Sequence, residues 1–338
     1  MKALIEAIEF YFPENALGNE ALAQEWTSLS ADQIFERTGI RERRVAAPDE
    51  CASDLGVASA ERLFESGPCN RESIDFLLFC TQSPDFFIPT TACLMHERLA
   101  LPTSCGALDF NLGCSGYIYG LSLAKALIES GQAQKVLLVT ADTYSKFIHP
   151  RDKSVRALFG DAGAATLVTG IEADESLIGP VVLGTDGQGA ENFIVPTGGM
   201  RRATVPDAHV VADADGNCRT VNNLFMDGLE MFNFTIRVVP QTVRTLLSKA
   251  GKSMEEIDLF VFHQPNAVSL EHLRKKLGIP GEKFVVALEH YGNTVSASIP
   301  IALKNALTKG RLRSGNLVML VGFGVGYSWG GLLLKWLT

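Results

Sequence analysis

Short uninterrupted apolar runs alternate along the chain with longer stretches whose apolar positions recur three and four residues apart. The short runs, at 76–79, 107–110, 136–140, 164–168, 259–262, 284–288, 317–321 and 331–337, read as strands buried on both faces. The amphipathic stretches, at 54–65, 117–130, 232–250, 268–277 and 295–309, predict helices. This alternation predicts an α/β protein with mixed, mostly buried sheets. Residues 317–334 form eighteen positions without a charge, the nominal length of a membrane span. Gly322, Gly324, Gly326, Gly330 and Gly331 lie inside that run, and Ser328 and Trp329 interrupt it. Two buried strands around a glycine-rich turn are therefore expected instead.

The pattern also repeats. The tract from Ser73, Ser-Ile-Asp-Phe-Leu-Leu-Phe-Cys-Thr-Gln, matches the tract from Glu256, Glu-Ile-Asp-Leu-Phe-Val-Phe-His-Gln, 183 residues later. Ala126-Leu127 before Gly131 matches Ala306-Leu307 before Gly310, 180 residues later. Residues 135–139 match 316–321. Three matches in one order predict an internal duplication, with halves 1–172 and 173–338. Between them, 184–223 is rich in Gly, Asp, Asn and Pro and lacks a period. It reads as a surface excursion of the kind that lines a substrate entrance.

Composition narrows the classes. The 338 residues are 46% hydrophobic and 20% charged, which suits a large packed core and argues against long disorder. A net charge of −8 disfavours nonspecific binding to nucleic acid or to an anionic membrane. The cysteine count is seven, with no CxxC pair, so neither a disulfide scaffold nor a zinc ribbon is expected. Glu6 and Glu9 fall where a secretory signal would be apolar, and a cytoplasmic protein is expected. Gly160-Asp-Ala-Gly163 and Gly184-Thr-Asp-Gly187 lack the Lys-Ser/Thr of a P-loop, and the histidines show no metal-ligand spacing.

The duplication makes three positions informative. Cys114 follows the strand at 107–110 where the helix at 117–130 begins; Asn293 holds the same place before 295–309, 179 residues on. His263 ends the strand at 259–262, where Cys80 stands in the first half. If the halves pack about a pseudo-twofold axis, Cys, His and Asn converge. A cysteine at a helix N-terminus is expected to have a lowered pKa and to serve as nucleophile. Histidine can activate it or stabilise an oxyanion, and asparagine can polarise a carbonyl without titrating. Each also has a plain structural reading: Cys114 as a small core residue, His263 as a hydrogen-bonded strand end, Asn293 as a turn or cap residue.

At these residues the chain resembles the ketoacyl synthase III branch of the thiolase superfamily. The resemblance is carried by Thr38-Gly-Ile-Arg-Glu-Arg43, Asn111-Leu-Gly-Cys114-Ser-Gly, Leu158-Phe-Gly-Asp-Ala-Gly163, His263-Gln-Pro-Asn266, Tyr291-Gly-Asn293-Thr and Gly322-Phe-Gly-Val-Gly-Tyr-Ser-Trp-Gly330. It implies a thiolase-like five-layered αβαβα fold, a homodimer and a decarboxylative Claisen condensation. It further implies acyl loading on Cys114 from acyl-coenzyme A or an acyl carrier protein, with His263 and Asn293 serving the decarboxylation of a malonyl-carrier-protein thioester. No permanently bound cofactor, metal, nucleic acid or membrane is implied. The oxyanion donors implied are the backbone N–H groups of Cys114 and Val325, where many relatives have glycine at the second place. Arg37, Lys153, Gly228, Phe232 and Asn266 match residues lining the phosphopantetheine tunnel. The resemblance places Gln33 where a tryptophan stacks on the coenzyme A adenine, Lys153 where an arginine sandwiches that base, and Val268 where a basic residue stands on the carrier-protein docking face, so a weaker grip on free coenzyme A is expected, with carrier protein as acyl donor. Ile88 matches a position at which one subunit closes the partner's acyl pocket. The alternatives are acyl transfer to an alcohol or amine without condensation, and a partner subunit of a heterodimer. Such partner subunits usually lack the nucleophile, which is present here.

Overall fold

The computed structural model describes residues 1–26, 28–67 and 69–337. Thr338, with which the second half was expected to end, lies outside them. Two sheets dominate. The first runs in the order Lys2–Tyr11, Ala162–Ile171, Lys135–Asp142, Phe76–Cys80, Gly106–Phe110. The second runs Ile178–Thr185, Ser328–Lys335, Leu317–Gly324, Leu259–Phe262. The directions match strand for strand: antiparallel, antiparallel, then parallel. A parallel bridge from Phe260 to Phe284 stands where the first sheet has its fifth strand. The repeat seen in the sequence is thus matched by a repeat of topology.

Strand residues alternate between two buried faces. Leu78, Val136 and Leu138 of the first sheet and Val261, Val318 and Leu320 of the second point into one shared core. That core is filled by the helices Gly116–Glu129 and Ser298–Thr308, through Tyr117, Ile118, Leu121, Ile299, Ala302 and Leu303. Leu77, Phe79, Leu137 and Val139 point the other way, onto helices Ala52–Glu65 and Thr91–Arg98. Phe260, Phe262, Met319 and Val321 face helices Gly228–Ala250 and Ala267–Leu277. The layers therefore run α, β, α, β, α, the thiolase-like arrangement expected. Apolar residues on both sides of strands such as Phe76–Cys80 and Leu259–Phe262 are what burial on both faces requires.

Three departures have physical causes. The segment 284–288, expected as a strand, keeps only its first bridge, because the Gln264 side chain takes the partner's place. Its Nε2 donates to the Val285 carbonyl at 3.2 Å and its Oε1 accepts the Ala287 N–H at 2.8 Å. Strand Lys2–Tyr11 escaped the sequence pattern because a bulge between Ile5 and Ala7 shifts its alternation at Glu6. Ile178–Thr185 escaped because it holds Gly179 and Pro180, which suits an edge strand. The uncharged run at 317–334 is the expected pair of antiparallel strands. Among the described residues no helix is long and apolar enough to cross a membrane.

Candidate active site

The helix Gly116–Glu129 begins just past Cys114, and the turn Val295–Ala297 leading into Ser298–Thr308 begins just past Asn293. Both helix starts open onto one cavity of about 720 Å³, which His263 also lines. Glycine at 324 makes the approach of the second half possible: a Cβ there would lie 2.8 Å from both Cβ and Sγ of Cys114. The backbone N–H groups of Cys114 and Val325 act on the sulfur. Those N–H groups favour the thiolate, yet burial outweighs them and, with the nearby Asp142, pushes the thiol up to about 12. This corrects the expectation of a lowered thiol pKa. The helix start is there, but the sulfur it faces is out of water.

His263 caps the strand Leu259–Phe262, its N–H bonded to the Val321 carbonyl at 2.8 Å. Nδ1 lies 2.7 Å from the Ser298 hydroxyl, and the ring meets Phe323 edge-on at 5.5 Å. Burial lowers its pKa from 6.5 to about 3, so the imidazole is neutral at physiological pH. When Ser298 donates to Nδ1, the ring proton sits on Nε2, the nitrogen left for the cavity. Asn293 spends its Oδ1 on the Val295 N–H at 3.0 Å, which leaves its amide N–H₂ for the cavity. The site therefore combines a thiol with two neutral N–H donors.

The backbone of Asn293 is clamped. Its N–H donates to the Leu158 carbonyl at 2.8 Å and its carbonyl accepts the Gly160 N–H at 3.0 Å. A Cβ on Gly160 would fall 2.0 Å from the Tyr291 carbonyl oxygen, so this closeness requires glycine. Arg43, wholly buried, donates to the carbonyls of Leu17 (3.1 Å) and Ala157 (2.8 Å) and to Asn19 Oδ1 at 2.8 Å. Its Cβ stands about 3 Å from where side chains on Gly160 and Gly292 would begin. The motifs at 38–43, 158–163 and 291–294 are thus one clasp under the site.

Acid stability carries a sign that follows from burial. Between pH 6.5 and about 3 the unfolded chain binds a proton at His263 that the folded chain does not, so stability falls as pH falls. Asp142, raised to about 7, and Asp161, also raised, work in the opposite direction below neutrality. His263→Gln is expected to soften the loss of urea-unfolding stability between pH 6.5 and pH 4. An unchanged loss would contradict a buried neutral imidazole.

Comparison with known proteins agrees with the fold. The model described as 3-oxoacyl-[acyl-carrier-protein (ACP)] synthase III matches residues 108–187, and the model of its C-terminal region matches 247–336. The beta-ketoacyl-[acyl-carrier-protein] synthase III of Caldanaerobacter subterraneus subsp. tengcongensis is 35% identical over 326 residues, covering 96% of this chain and 95% of that protein. The chain belongs to the 3-oxoacyl-[acyl-carrier-protein] synthase III family. A 2.1 Å crystal structure of a 3-oxoacyl-(acyl-carrier-protein) synthase III superimposes with a TM-score of 0.98 at 50% identity, covering 99% of this chain and 100% of that one. The 3-oxoacyl-(acyl-carrier protein) synthase from Burkholderia xenovorans LB400 follows at 0.91 and 36%, covering 100% and 95%.

The structure of this synthase III family member brings most of the expected residues to one place. Arg37, Lys153, Gly228, Phe232 and Asn266 line the same cavity as Cys114, His263 and Asn293. From the excursion, Phe193, Asp215 and Asn217 form part of its wall, and the Asp215 carbonyl lies 3.4 Å from Lys153 Nζ. Gln33 does not line it. Its side chain closes the capping box of helix Ala31–Thr38 with Ser30. Val268 is exposed and also lies off the cavity wall. Val325 lines a second cavity of about 600 Å³, bordered by Tyr144, Phe193, Leu224 and Phe87, so Cys114 sits between two spaces. Ile88 lines neither; it is 88% exposed beside exposed Phe86 and Phe87. Ser298 and Arg43, which hold the site, escaped the sequence reading. Arg43 sat inside a quoted motif, while Ser298 is one serine among several.

Proposed function

We propose that this chain is a condensing enzyme that makes a 3-oxoacyl thioester. Cys114 Sγ attacks the carbonyl of an acyl thioester; the carrier thiol leaves with the proton the cysteine gives up, and the acyl group stays on sulfur. The N–H groups of Cys114 and Val325 receive the oxyanion of that step. A malonyl thioester then loses carbon dioxide while His263 Nε2–H and the Asn293 amide hold its carbonyl oxygen. The carbanion so formed attacks the acyl-Cys114 carbonyl, which breaks the C–S bond and forms the new C–C bond. The observation that carries this reading is the single cavity lined by Cys114, His263 and Asn293, with both donors neutral. Neutral donors suit charge that develops only in the transition state. Plain acyl transfer to an alcohol or amine leaves Asn293 without a task.

In this reading the 720 Å³ cavity takes the pantetheine arm and the 600 Å³ cavity takes the acyl chain. The halves 1–172 and 173–338 then divide the work, the first supplying the nucleophile and the second the decarboxylating pair. Acyl carrier protein is the partner for the malonyl unit and the preferred acyl donor, because Lys153 on the cavity wall offers no flat surface to an adenine. Lys153→Arg is expected to raise kcat/KM for an acyl-coenzyme A several-fold and leave the acyl-carrier-protein value alone. Equal change for both donors would refute the assignment. A second copy of the chain covers Phe86, Phe87 and Ile88. Ile88→Asp is expected to shift light-scattering mass from dimer toward monomer, and an unshifted dimer would place the interface elsewhere.

The deciding experiment is intact-protein mass after exposure to a panel of acyl-coenzyme A and acyl-carrier-protein donors, followed by malonyl carrier protein. An adduct on Cys114 that vanishes as a 3-oxoacyl product appears supports condensation. An adduct that ignores malonyl donors points to acyl transfer, and no adduct from any donor counts against both.

A further inference from the structure

Asp142 ends the strand Lys135–Asp142, is wholly buried, and takes no part in the steps above. Its Oδ1 accepts the Gln82 backbone N–H at 2.8 Å. Its Oδ2 accepts the Ser296 N–H at 3.2 Å and the Ser296 hydroxyl at 2.5 Å. The second pair of bonds spans 154 residues and ties the half that carries Cys114 to the half that carries His263 and Asn293.

Both ends of that tie lead to the site. Ser296 lies three residues past Asn293, whose Oδ1 accepts the Val295 N–H. Two residues further on, Ser298 holds His263 Nδ1 at 2.7 Å. Between them Val295 has φ +51, a left-handed conformation that β-branched residues avoid. This turn is held by its contacts and not by its own preference. On the other side, Gln82 is fixed at three points. Asp142 takes its N–H, Tyr144 donates to its Oε1 at 2.5 Å, and its Nε2 donates to Asn111 at 3.0 Å. The Gln82 Oε1 lies 2.4 Å from where a Cβ on Gly113 would stand, one residue before the cysteine. It also borders the second cavity.

We propose that Asp142 is a positioning residue for the condensation step, fixing the 293–298 turn, and through Ser298 the His263 ring, against the half that holds Cys114. The assignment rests on the roles proposed above for those three residues. Its geometry predicts an uneven effect. Acyl loading needs the thiol and the N–H groups of Cys114 and Val325, which do not depend on the turn. Condensation also needs His263 and Asn293, which do.

The carboxylate has a second influence, through charge. The titratable groups facing it are Cys80 on the neighbouring strand, Cys114 at the helix start, Tyr144 on the following turn and Asp161 before the next strand. The 293–298 turn brings no titratable side chain. Burial raises Asp142 to about 7, so above neutrality it ionises and opposes the thiolate of Cys114. Removing that charge therefore makes Cys114 more reactive at alkaline pH, a change that a merely structural role would not produce.

The test uses the full chain with Asp142→Asn and, separately, Ser296→Ala. Three readouts are taken: the rate of Cys114 acylation by intact mass, the rate of condensation with malonyl carrier protein, and the pH profile of Cys114 alkylation by iodoacetamide. Both variants are expected to keep acylation within a few-fold while condensation falls ~10- to 100-fold, as a misplacement of about an ångström produces. Asp142→Asn is further expected to move the alkylation profile to lower pH. If Asp142→Asn does not fold, Ser296→Ala alone decides. Proportional loss of both half-reactions, or normal condensation by Ser296→Ala beside a normally condensing wild type, overturns the assignment alone. A wild-type chain that never acylates Cys114 overturns the condensing-enzyme reading, and this assignment with it.

Discussion

Cys114→Ala is expected to eliminate the acyl adduct and to lower condensation by on the order of 10³-fold or more. Without the sulfur there is no covalent intermediate, and the malonyl carbanion has only a bound thioester, held in no fixed place, to attack. The other half of the site stays intact, because Gly324 approaches the Cβ and the backbone at 114 remains. Decarboxylation of malonyl carrier protein should therefore persist in the variant, measured as carbon dioxide and acetyl carrier protein. If condensation survives the loss of Cys114, or decarboxylation stops with it, the division of labour is wrong.

His263→Ala and Asn293→Ala should give the opposite split. Each is expected to form the Cys114 adduct at a rate within a few-fold of wild type, while condensation falls by roughly 10²- to 10³-fold, the usual cost of one donor lost from an oxyanion site. The His263 effect should be flat with pH from 6 to 9, since its imidazole is neutral well below that range. A pH-dependent defect would show that the imidazole titrates during turnover. Loss of the adduct in either variant would move that residue from the decarboxylation step to activation of the thiol.

Much of this site was legible because its residues mark the same points of two repeated units. Cys114 and Asn293 precede equivalent helices, and His263 stands where Cys80 does, so a pairing of the halves brings them together without any contact being visible in sequence. What stayed hidden depends on partners far along the chain. Helix Thr91–Arg98 has no side-chain cap from its own N-cap residue; its first N–H groups are taken by Asp109, on the strand Gly106–Phe110 that follows, at 2.6 Å. The strand expected at 284–288 gave way to one side chain, Gln264. The thiol pKa went in the opposite direction to the helix-start argument because that argument knows the dipole and not the depth. Helix Ala31–Thr38 was different: Ser30, Gln33 and Gly39 mark both its ends in the sequence itself, so it was readable and passed over.

The shared middle layer has a consequence for how the molecule opens. Helices Gly116–Glu129 and Ser298–Thr308 each pack between both sheets, so the middle core belongs to both halves and is lost if either departs. Local unfolding of one half would expose the interior of both, which makes the pair a single cooperative unit. A hinge between the halves is thus the wrong place to look for substrate entry. The segment across 187–226, built of short turns and two-residue strands around Asp215 and Asn217, belongs to neither large sheet, so this part of the wall lies outside that cooperative core.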